Sequence, residues 1–401
     1  MADTYYRKGF GLKGEIHGTL VSDYHSALVD EVRARGSSLT AGDLTIRLAR
    51  EFGFCYGVDR AVEYAYETRA KFPDRRIFLV GEIIHNPHVN AKLEAMGIVI
   101  IRRSEAGEFD FGAVTAADVV ILPAFGVTKA AFDQLRAVGC VLVDTTCGSV
   151  LNVWKRVESY ARDGYTAVIH GKYQHEETKA TASQATKFPG GRYIVVRDMA
   201  EARELCEYIE HGGGAAALQQ RFRVGSSPGF EPERDLARIG VANQTTMLSG
   251  ESLAIAAELR KAMVARYGEA ATASRFRTFD TICSATQDRQ DAVLKLLEDS
   301  VDVMVVIGGY NSSNTNHLAA LCARRVPTFH IEDSAAIDPA TGCIRHKPFA
   351  AHEETTTAGW LGAEVRVVGV TAGASTPNNK VGETIARIFA TRGIDLSELE
   401  G

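Results

Sequence analysis

Short apolar runs alternate with amphipathic segments from about residue 44 to residue 390, and this alternation predicts the secondary structure. Runs rich in β-branched residues predict strands, whereas apolar residues spaced three to four apart predict helices, as Val293, Leu296 and Leu297 show. The predicted strands are Ile77–Val80, Val119–Leu122, Val141–Val143, Ala167–Ile169, Tyr193–Val196, Val303–Ile307 and Val365–Val370. The predicted helices are Val58–Ala70, Val150–Ala161, Leu253–Ala265, Gln290–Leu297 and Thr315–Ala323. Such alternation is typical of an α/β fold with parallel sheets covered by helices.

One order of features occurs three times along the chain. A cysteine stands just before a predicted helix at Cys55, Cys147 and Cys283. A glycine that ends a strand is followed four residues later by a polar side chain, at His85, His175 and Ser313. A third strand ends in a polar loop at 123–129, 241–249 and 370–377. The repeat predicts a pseudo-threefold assembly of three α/β units.

The repeat also sets the predicted boundaries. The segments are an N-terminal extension at 1–43, α/β units at 44–146, 147–282 and 283–382, and a C-terminal tail at 383–401. The glycine-rich stretch 211–236 and the stretch 336–362 are predicted to be surface loops or insertions.

Composition and charge exclude several classes of protein. Hydrophobic residues make up 45% of the 401 residues and charged residues 24%, which excludes a disordered chain or a fibre. The formal net charge of −5 argues against a nucleic-acid partner. The longest apolar runs, such as Val303–Ile307, fall far short of the roughly 20 residues that span a bilayer, so no membrane association is expected.

The cysteines point to metal chemistry rather than cross-linking. Seven cysteines are too few for a disulfide scaffold, and the N-terminus lacks an apolar signal core, so a reducing, cytosol-like compartment is expected. Thiolates select iron–sulfur clusters, zinc or copper(I). Three equivalent cysteines suit a 4Fe–4S cluster in which one iron lacks a protein ligand. Zinc bound by three cysteines and a histidine, and three buried structural cysteines, remain open alternatives at this point.

Polar loops supply a second candidate chemistry. Residues 311–316 follow a predicted buried strand and open a helix, and their hydroxyls, amides and backbone N–H groups suit an anion such as a diphosphate. Ser375, His85 and His175 follow strand ends of the same kind. Plain helix N-capping by Ser and Asn is the alternative. The run His175-Glu176-Glu177 places a carboxyl group for proton delivery, or is simply a solvated helix start.

Together these motifs resemble a known family. They are GFCYGVDRA (53–61), the His-Asn of IIHNP, DTTC (144–147), HEE (175–177), NQTT (243–246), DTIC with ATQDRQ (280–290), NSSNTN (311–316) and TAGAS (371–375). Over residues 50–385 the chain resembles the 4-hydroxy-3-methylbut-2-enyl diphosphate reductase (LytB) family. The resemblance implies a trefoil of three α/β domains around a central 4Fe–4S cluster, one per chain.

The resemblance also implies the last step of the methylerythritol phosphate route to isoprenoids. In that step the hydroxyl group of an allylic diphosphate leaves as water, and isopentenyl and dimethylallyl diphosphate form. By residue match, the implied cluster ligands are Cys55, Cys147 and Cys283. Glu177 matches the proton donor, and Thr245 matches the residue that positions the hydroxyl group. The implied diphosphate pocket comprises His85, His175, Ser312, Ser313, Asn314 and Ser375.

Two positions depart from the family's bacterial pattern. Phe125 stands where that pattern has a histidine, so it is excluded as a polar ligand, and Gly148 stands where a proline is usual. The Ala-Phe-Gly form and the N-terminal extension resemble the cyanobacterial and plant-type branch. Ferredoxin or flavodoxin is the implied electron donor, and the cytoplasm, or the stroma for a mature plastid form, is the implied location.

Three other functions remain open from the residues themselves. A quinolinate synthase-like dehydratase would use the same three-cysteine cluster without net reduction. An iron–sulfur redox-sensing protein would keep the cysteines without needing Glu177. A phosphate-binding module would contain no cluster at all.

Overall fold

The structure, a computed structural model, describes residues 4–104, 107–279 and 281–396. Asp280 of the DTIC motif and the outermost residues of both predicted terminal segments lie outside these ranges. The strands are β1 (Tyr5–Tyr6), β2 (Ser38–Ala41), β3 (Leu44–Leu48), β4 (Ile77–Val80), β5 (Ile98–Ile101), β6 (Val119–Leu122), β7 (Val141–Asp144), β8 (Thr166–His170), β9 (Tyr193–Val196), β10 (Ile239–Asn243), β11 (Phe276–Thr278), β12 (Val303–Ile307), β13 (Thr328–Ile331), β14 (Ile337–Asp338), β15 (Cys343–His346), β16 (Thr355–Ala358) and β17 (Val367–Ala372).

The helices lie mostly between successive strands. They are α1 (Lys13–Tyr24), α2 (Ala27–Ala34), α3 (Tyr56–Lys71), α4 (Pro87–Ala95), α5 (Lys129–Val138), α6 (Gly148–Arg162), α7 (Glu176–Ala185), α8 (Met199–His211), α9 (Ala215–Arg221), α10 (Pro232–Asp235), α11 (Ser249–Thr272), α12 (Ser284–Leu296), α13 (Ser313–Ala323) and α14 (Asn378–Thr391). No helix within the described ranges combines the length and the apolar character that crossing a bilayer requires.

Within the described ranges the strands form three mainly parallel sheets and one small antiparallel sheet, which confirms the predicted α/β class. The strand orders are β1-β7-β6-β4-β5, β11-β10-β8-β9, β13-β12-β17-β3-β2 and, for the antiparallel sheet, β14-β15-β16. In the third sheet only the pairing of β2 with β3 is antiparallel. The inner strands β6, β8, β10 and β12 are buried along their whole length, as expected where helices cover a parallel sheet.

The chain divides into two compact lobes, each built around two of these sheets. Of the described residues, lobe 1 contains 4–8, 74–83, 98–104, 107–279 and 281–283, with the first and second sheets. Lobe 2 contains 9–73, 84–97 and 284–396, with the third sheet and the antiparallel sheet. The predicted boundaries at 44, 147, 283 and 383 stay a prediction. Strand pairing adds that β3 joins the third sheet through β17, with Thr45 opposite Val367.

Apolar side chains explain why these sheets hold together. In lobe 1 one core cluster around Phe78, Val120 and Leu142 packs on the first sheet, and another around Leu205 and Leu259 packs on the second. In lobe 2 the clusters lie on both sides of the third sheet. Burying these side chains contributes about 1.5–3 kcal/mol each, which fixes the strand ends where the polar loops begin.

The two stretches predicted to be loops contain regular structure. Residues 211–236 include α9 and α10, and Phe222 and Phe230 within the stretch are fully buried. Residues 336–362 include the antiparallel sheet, in which Ile344 is buried. The prediction of loops was incomplete because it relied on glycine, which indicates turns in a sequence. It did not take account of the neighbouring aromatic residues that reach the core.

Because of His330 on β13, we expect the free energy of unfolding to depend on pH. Its ring is buried, and Nε2 lies 2.9 Å from the carbonyl oxygen of Gly308. Burial lowers the pKa of His330 from its ordinary 6.5 to about 4, so the unfolded chain binds this proton at a higher pH than the folded chain does. Stability is therefore lost as the pH falls from 6.5 towards 4. Between pH 7 and pH 5.5 the expected loss is about 1 kcal/mol.

Urea unfolding at both pH values measures this effect. His330→Gln should remove about 1 kcal/mol of the pH dependence, whereas His211→Gln, at a side chain that is 73% exposed, should leave it unchanged. Equal pH dependence in the unaltered chain and in His330→Gln would contradict the prediction.

Candidate functional site

Each of the three predicted cluster ligands lies directly before the first residue of a helix. Cys55 precedes α3, Cys147 precedes α6, and Cys283 precedes α12. All three are partly buried. The positive end of a helix dipole favours negative charge, which a thiolate ligand would supply. In lobe 1 the hydroxyl group of Ser149, in the first turn of α6, donates to the Sγ atom of Cys283 at 3.4 Å. These sulfur environments fit an iron–sulfur cluster.

A repeated backbone hydrogen bond holds each cysteine. The N–H of Cys147 donates to the carbonyl oxygen of Ala124 (2.9 Å), that of Cys283 to Thr245 (3.3 Å), and that of Cys55 to Ala374 (3.3 Å). These three carbonyl groups belong to the three polar loops of the sequence repeat. Each loop therefore holds the next cysteine along the chain, and the last loop holds the first cysteine.

The N–H groups of the same three loop residues donate to acceptors in the segments that carry the predicted substrate-binding and proton-donating residues. Ala124 donates to the carbonyl oxygen of Ile83, two residues before His85, at 3.2 Å. Thr245 donates to Oε1 of Glu177 at 2.5 Å, and Ala374 donates to Oδ1 of Asn314 at 3.0 Å. In each loop, the carbonyl group of one residue binds a cysteine. The N–H group of the same residue binds a segment that is predicted to contact the substrate, or the residues next to it.

Glu177 is a buried carboxyl group with a fixed orientation. The residue is 2% exposed and lies in the first turn of α7, and Thr245 is 5% exposed. Because Oε1 accepts the N–H of Thr245, and Thr245 accepts the N–H of Cys283, the carboxyl group is positioned relative to this cysteine within lobe 1. A buried carboxyl group held in this way suits proton transfer better than the solvated helix start that was the alternative.

His175 has a structural role and an oriented ring. Its Nδ1 accepts the N–H of Glu177 at 3.1 Å and so caps α7. In a neutral imidazole whose Nδ1 accepts, the proton is on Nε2, which makes Nε2 the donor nitrogen. Phe125 packs edge-on against this ring, with centroids 6.0 Å apart. Phe125 therefore contributes an aromatic contact to His175 rather than a polar group.

The residues of the segment Ser312-Ser313-Asn314 have two different roles. The first caps a helix, and the other two carry buried polar atoms that can donate hydrogen bonds. Ser312 caps α13, because its Oγ accepts from both the N–H and the hydroxyl group of Thr315. The buried Oγ of Ser313 and Nδ2 of Asn314 have no hydrogen-bond partner among the described residues. Buried polar atoms are normally satisfied, so these two atoms mark a place for a polar ligand. The opposite end of the Asn314 amide accepts from Ala374, which directs Nδ2 away from that loop.

His85 and Ser375 lie beside this segment in lobe 2. The hydroxyl group of Ser375 donates to the carbonyl oxygen of His85 at 3.1 Å, and the amide of Asn311 lies 3.4 Å from Nδ1 of the His85 ring. A Cβ atom on Gly309 would lie 2.9 Å from the same carbonyl oxygen, so only glycine fits there. The structure thus brings His85, Ser375 and Asn314 together within lobe 2, at one edge of the third sheet.

Sequence reasoning missed Arg289 on α12. Its side chain is 4% exposed, and its guanidinium group donates to the carbonyl oxygen of Gly53 at 2.7 Å, two residues before Cys55, and to Ala285 at 2.8 Å. A buried arginine that binds backbone carbonyl groups fixes the loop that precedes Cys55. The ATQDRQ motif contained this residue, but the sequence does not show which carbonyl groups it reaches.

The remaining cysteines differ from the three predicted cluster ligands in their surroundings. Burial raises the pKa of Cys206 and of Cys322 to about 12, and it also raises the pKa of Cys140. These thiols stay protonated at neutral pH and pack in the core. Cys343 lies on β15 in the antiparallel sheet of lobe 2.

Comparisons with known proteins identify the family of this chain. A family model described as LytB protein matches residues 46–389. A 4-hydroxy-3-methylbut-2-enyl diphosphate reductase of Gloeobacter violaceus is 49% identical over 99% of this chain and 95% of its own length. The enzyme of the same name from Thermosynechococcus vestitus is 47% identical over 98% and 96%.

A solved structure extends the comparison to the fold. It is the structure of an (E)-4-hydroxy-3-methyl-but-2-enyl diphosphate reductase, the terminal enzyme of the non-mevalonate pathway. It matches with a TM-score of 0.52 at 28% identity, covering 86% of this chain and 98% of that one. The similarity to cyanobacterial relatives confirms the predicted branch. The chain therefore belongs to the LytB family of 4-hydroxy-3-methylbut-2-enyl diphosphate reductases, which are oxidoreductases.

Proposed function

We propose that this chain reduces (E)-4-hydroxy-3-methylbut-2-enyl diphosphate to isopentenyl diphosphate and dimethylallyl diphosphate. The observation that supports this function best is the Thr245 backbone, which binds Glu177 on one side and Cys283 on the other. Through this one residue, a buried carboxyl group is connected by hydrogen bonds to a proposed cluster ligand. Neither a phosphate-binding module nor a redox sensor needs that connection.

The reaction balances with two electrons and two protons. The allylic C–O bond breaks, the hydroxyl group leaves as water after taking one proton, and the carbon chain takes the second proton at either end of the allyl group. Cys55, Cys147 and Cys283 are the proposed ligands of one 4Fe–4S cluster per chain. When bound, this cluster supplies the electrons and a Lewis-acidic iron that lacks a protein ligand. Ferredoxin or flavodoxin is the proposed donor, and the cytoplasm or a plastid stroma the proposed location.

The chain's own residues bind the substrate and move the proton. The proposed diphosphate ligands are His85, His175, Ser312, Ser313, Asn314 and Ser375. Among them, Nδ2 of Asn314 and Oγ of Ser313 are the buried groups without partners in the described part of the chain. Glu177 delivers the proton to the leaving oxygen, and Thr245 positions the hydroxyl group. Anchoring a charged diphosphate far from the reacting carbon uses its binding energy to orient the C4 hydroxyl group.

Anaerobic purification followed by turnover tests this function. Iron and sulfide analysis is expected to give four of each per chain, as a 4Fe–4S cluster requires. The holoenzyme with reduced methyl viologen should convert the hydroxymethylbutenyl diphosphate to both products. A preparation without iron, or turnover that needs no reductant, would contradict the proposal.

Asn314→Asp should weaken substrate binding. The carboxylate keeps the acceptor for the Ala374 N–H but replaces a donor with a negative charge that faces the diphosphate. We expect KM for the substrate to rise about 10- to 100-fold, as the loss of a hydrogen bond to a charged group implies. Steady-state kinetics with viologen measures this change. Asn152→Asp, the same substitution at an exposed position on α6, is the control, and an unchanged KM in Asn314→Asp would remove Asn314 from the pocket.

A further inference from the structure

The antiparallel sheet of lobe 2 carries none of the proposed site residues. It is formed by β14, β15 and β16 within the stretch 336–362. Tyr310 connects this sheet to the proposed diphosphate pocket. It lies between β12 and α13, at the start of the polar loop that contains Ser313 and Asn314. Two residues at the ends of β15 and β16 contact its side chain, so the sheet reaches the pocket through one tyrosine.

The ends of two antiparallel strands hold the Tyr310 side chain. Glu354 is the residue before β16, and its Oε1 accepts the hydroxyl group of Tyr310 at 2.8 Å. Lys347 is the residue after β15, and its Nζ lies 5.7 Å from the centroid of the Tyr310 ring. That distance is within the range of a cation–π contact. One hairpin therefore holds both the hydroxyl group and the ring.

The carboxylate of Glu354 has a fixed orientation. Its Oε2 accepts from Nη1 of Arg345 on β15 at 3.2 Å, which leaves Oε1 for Tyr310. Burial, together with the hydrogen bond to Glu354, raises the pKa of Tyr310, so the phenol group stays protonated and remains the donor. A hydrogen bond to a carboxylate is stronger than one between two neutral groups. The contact between Tyr310 and Glu354 is therefore more than ring packing.

His330 on β13 provides a third contact for the tyrosine. Its ring meets the Tyr310 ring edge-on, with centroids 5.0 Å apart, and its Nε2 lies 2.9 Å from the carbonyl oxygen of Gly308. The carbonyl oxygen of His330 also accepts the N–H of Lys347 at 2.9 Å, which attaches the hairpin to β13. The hairpin and the parallel sheet thus hold Tyr310 together.

The backbone of Tyr310 fixes the polar loop that follows it. Its carbonyl oxygen accepts from Nδ2 of Asn316 at 2.8 Å, and the same nitrogen donates to the carbonyl oxygen of Ser312 at 2.8 Å. The loop is therefore closed between residues 310 and 316. Oγ of Ser313 and Nδ2 of Asn314, the buried atoms proposed to bind the diphosphate, belong to this closed segment.

We propose that Tyr310, held by Glu354 of the antiparallel hairpin, is a positioning residue that keeps the polar loop at 311–316 ready to bind the diphosphate group. The inference deepens the proposed function and rests on it for the identity of the substrate. A loop that is already ordered loses less conformational entropy when its ligand binds, so it binds more tightly. None of the contacts of Tyr310 described above involves Glu177 or a proposed cluster ligand, so the effect belongs to binding rather than to the chemical step.

Tyr310→Phe tests this role, because it removes the hydroxyl group and keeps the ring. In the anaerobic holoenzyme we expect KM for the hydroxymethylbutenyl diphosphate to rise about three- to tenfold, as the loss of one hydrogen bond implies, with kcat within about twofold. Inorganic diphosphate is the second probe. Its dissociation constant, measured by isothermal titration calorimetry, should rise by the same factor, since the polar loop is proposed to bind that half of the substrate.

Glu354 offers matched variants. Glu354→Ala should reproduce the effect of Tyr310→Phe, and the double variant should be no weaker than either, because both substitutions remove the same hydrogen bond. Glu354→Gln should stay within about twofold of the unaltered chain, since its amide oxygen can still accept the hydroxyl group and an exposed ion pair with Arg345 contributes little. Glu353→Ala, at the exposed residue beside Glu354, is the control and should leave both constants unchanged.

The two constants separate positioning from a purely structural contact. If Tyr310→Phe and Glu354→Ala left KM and the diphosphate affinity unchanged, even with a lower midpoint of thermal unfolding, the positioning role would be overturned. If the variants changed the diphosphate affinity as expected but the unaltered holoenzyme showed no turnover with reduced methyl viologen, the positioning role would stand and the proposed function would be wrong.

Discussion

Glu177→Gln is expected to lower kcat by about 10²- to 10⁴-fold, the usual contribution of a positioned general acid. Glutamine has the same shape, and its amide oxygen can accept the N–H of Thr245 as the carboxylate does. It cannot transfer a proton to the departing oxygen. The substitution therefore removes the chemistry and keeps the contact. Steady-state turnover with reduced viologen, together with iron analysis, measures both aspects.

The control for this result is Glu176→Gln at the adjacent residue. Glu176 is partly buried, and its carboxylate lies 3.4 Å from the guanidinium group of Arg103 rather than against Thr245. We expect its kcat to stay within about threefold of the unaltered chain, because a partly exposed ion pair contributes little. A kcat for Glu177→Gln close to that of this control, with iron content intact, would remove Glu177 from the proton-transfer step.

The regular elements could be predicted because their residues are buried on repeating faces. Four strands, at Ile77–Val80, Val119–Leu122, Tyr193–Val196 and Val303–Ile307, have the predicted bounds. Each is a continuous apolar run, which a doubly covered parallel strand requires. The helices begin earlier than predicted, as α12 does at Ser284 instead of Gln290, because polar first turns lack the apolar periodicity.

The contacts that hold the candidate site could not be predicted. The carbonyl and N–H groups of Ala124, Thr245 and Ala374 bind the cysteines and their neighbouring segments. Backbone groups are common to all residue types, so no side-chain pattern identifies them. The repeat showed that the three loops are equivalent, but only the fold shows that each loop holds the following cysteine.

The polar loop at 311–316 shows the same limit at single residues. The sequence left N-capping and anion binding as alternatives for the whole loop. In the structure Ser312 is the cap, whereas the side-chain oxygen of Ser313 and the amide nitrogen of Asn314 are buried without partners in the described chain. Capping is confirmed for Ser312, whereas anion binding by Ser313 and Asn314 stays a prediction. The first residue outside a helix and the first residues within it face different groups, so one loop can serve both purposes.

Cys283→Ser is expected to remove the cluster and with it all but a trace of turnover. A hydroxyl group fits the space of the thiol and can still accept from Ser149, whose Oγ lies 3.4 Å from the sulfur, so the local fold should survive. An alcohol stays protonated at neutral pH and is a poor ligand for iron in place of a thiolate. We expect turnover to fall by more than about 100-fold, since residues that merely orient metal ligands account for about 10- to 100-fold.

Iron and sulfide content, and the visible absorption of the anaerobic protein, separate this loss from misfolding. Cys343→Ser is the matched control, because Cys343 is also partly buried but lies on β15 with its sulfur 3.8 Å from the carbonyl oxygen of Thr341. It should retain full iron content and activity. If Cys283→Ser retained the same iron content as Cys343→Ser, Cys283 would not be a ligand. The backbone hydrogen bond from Cys283 to Thr245 would then serve only to position Glu177. The proposed connection between the cluster and the proton donor would be wrong.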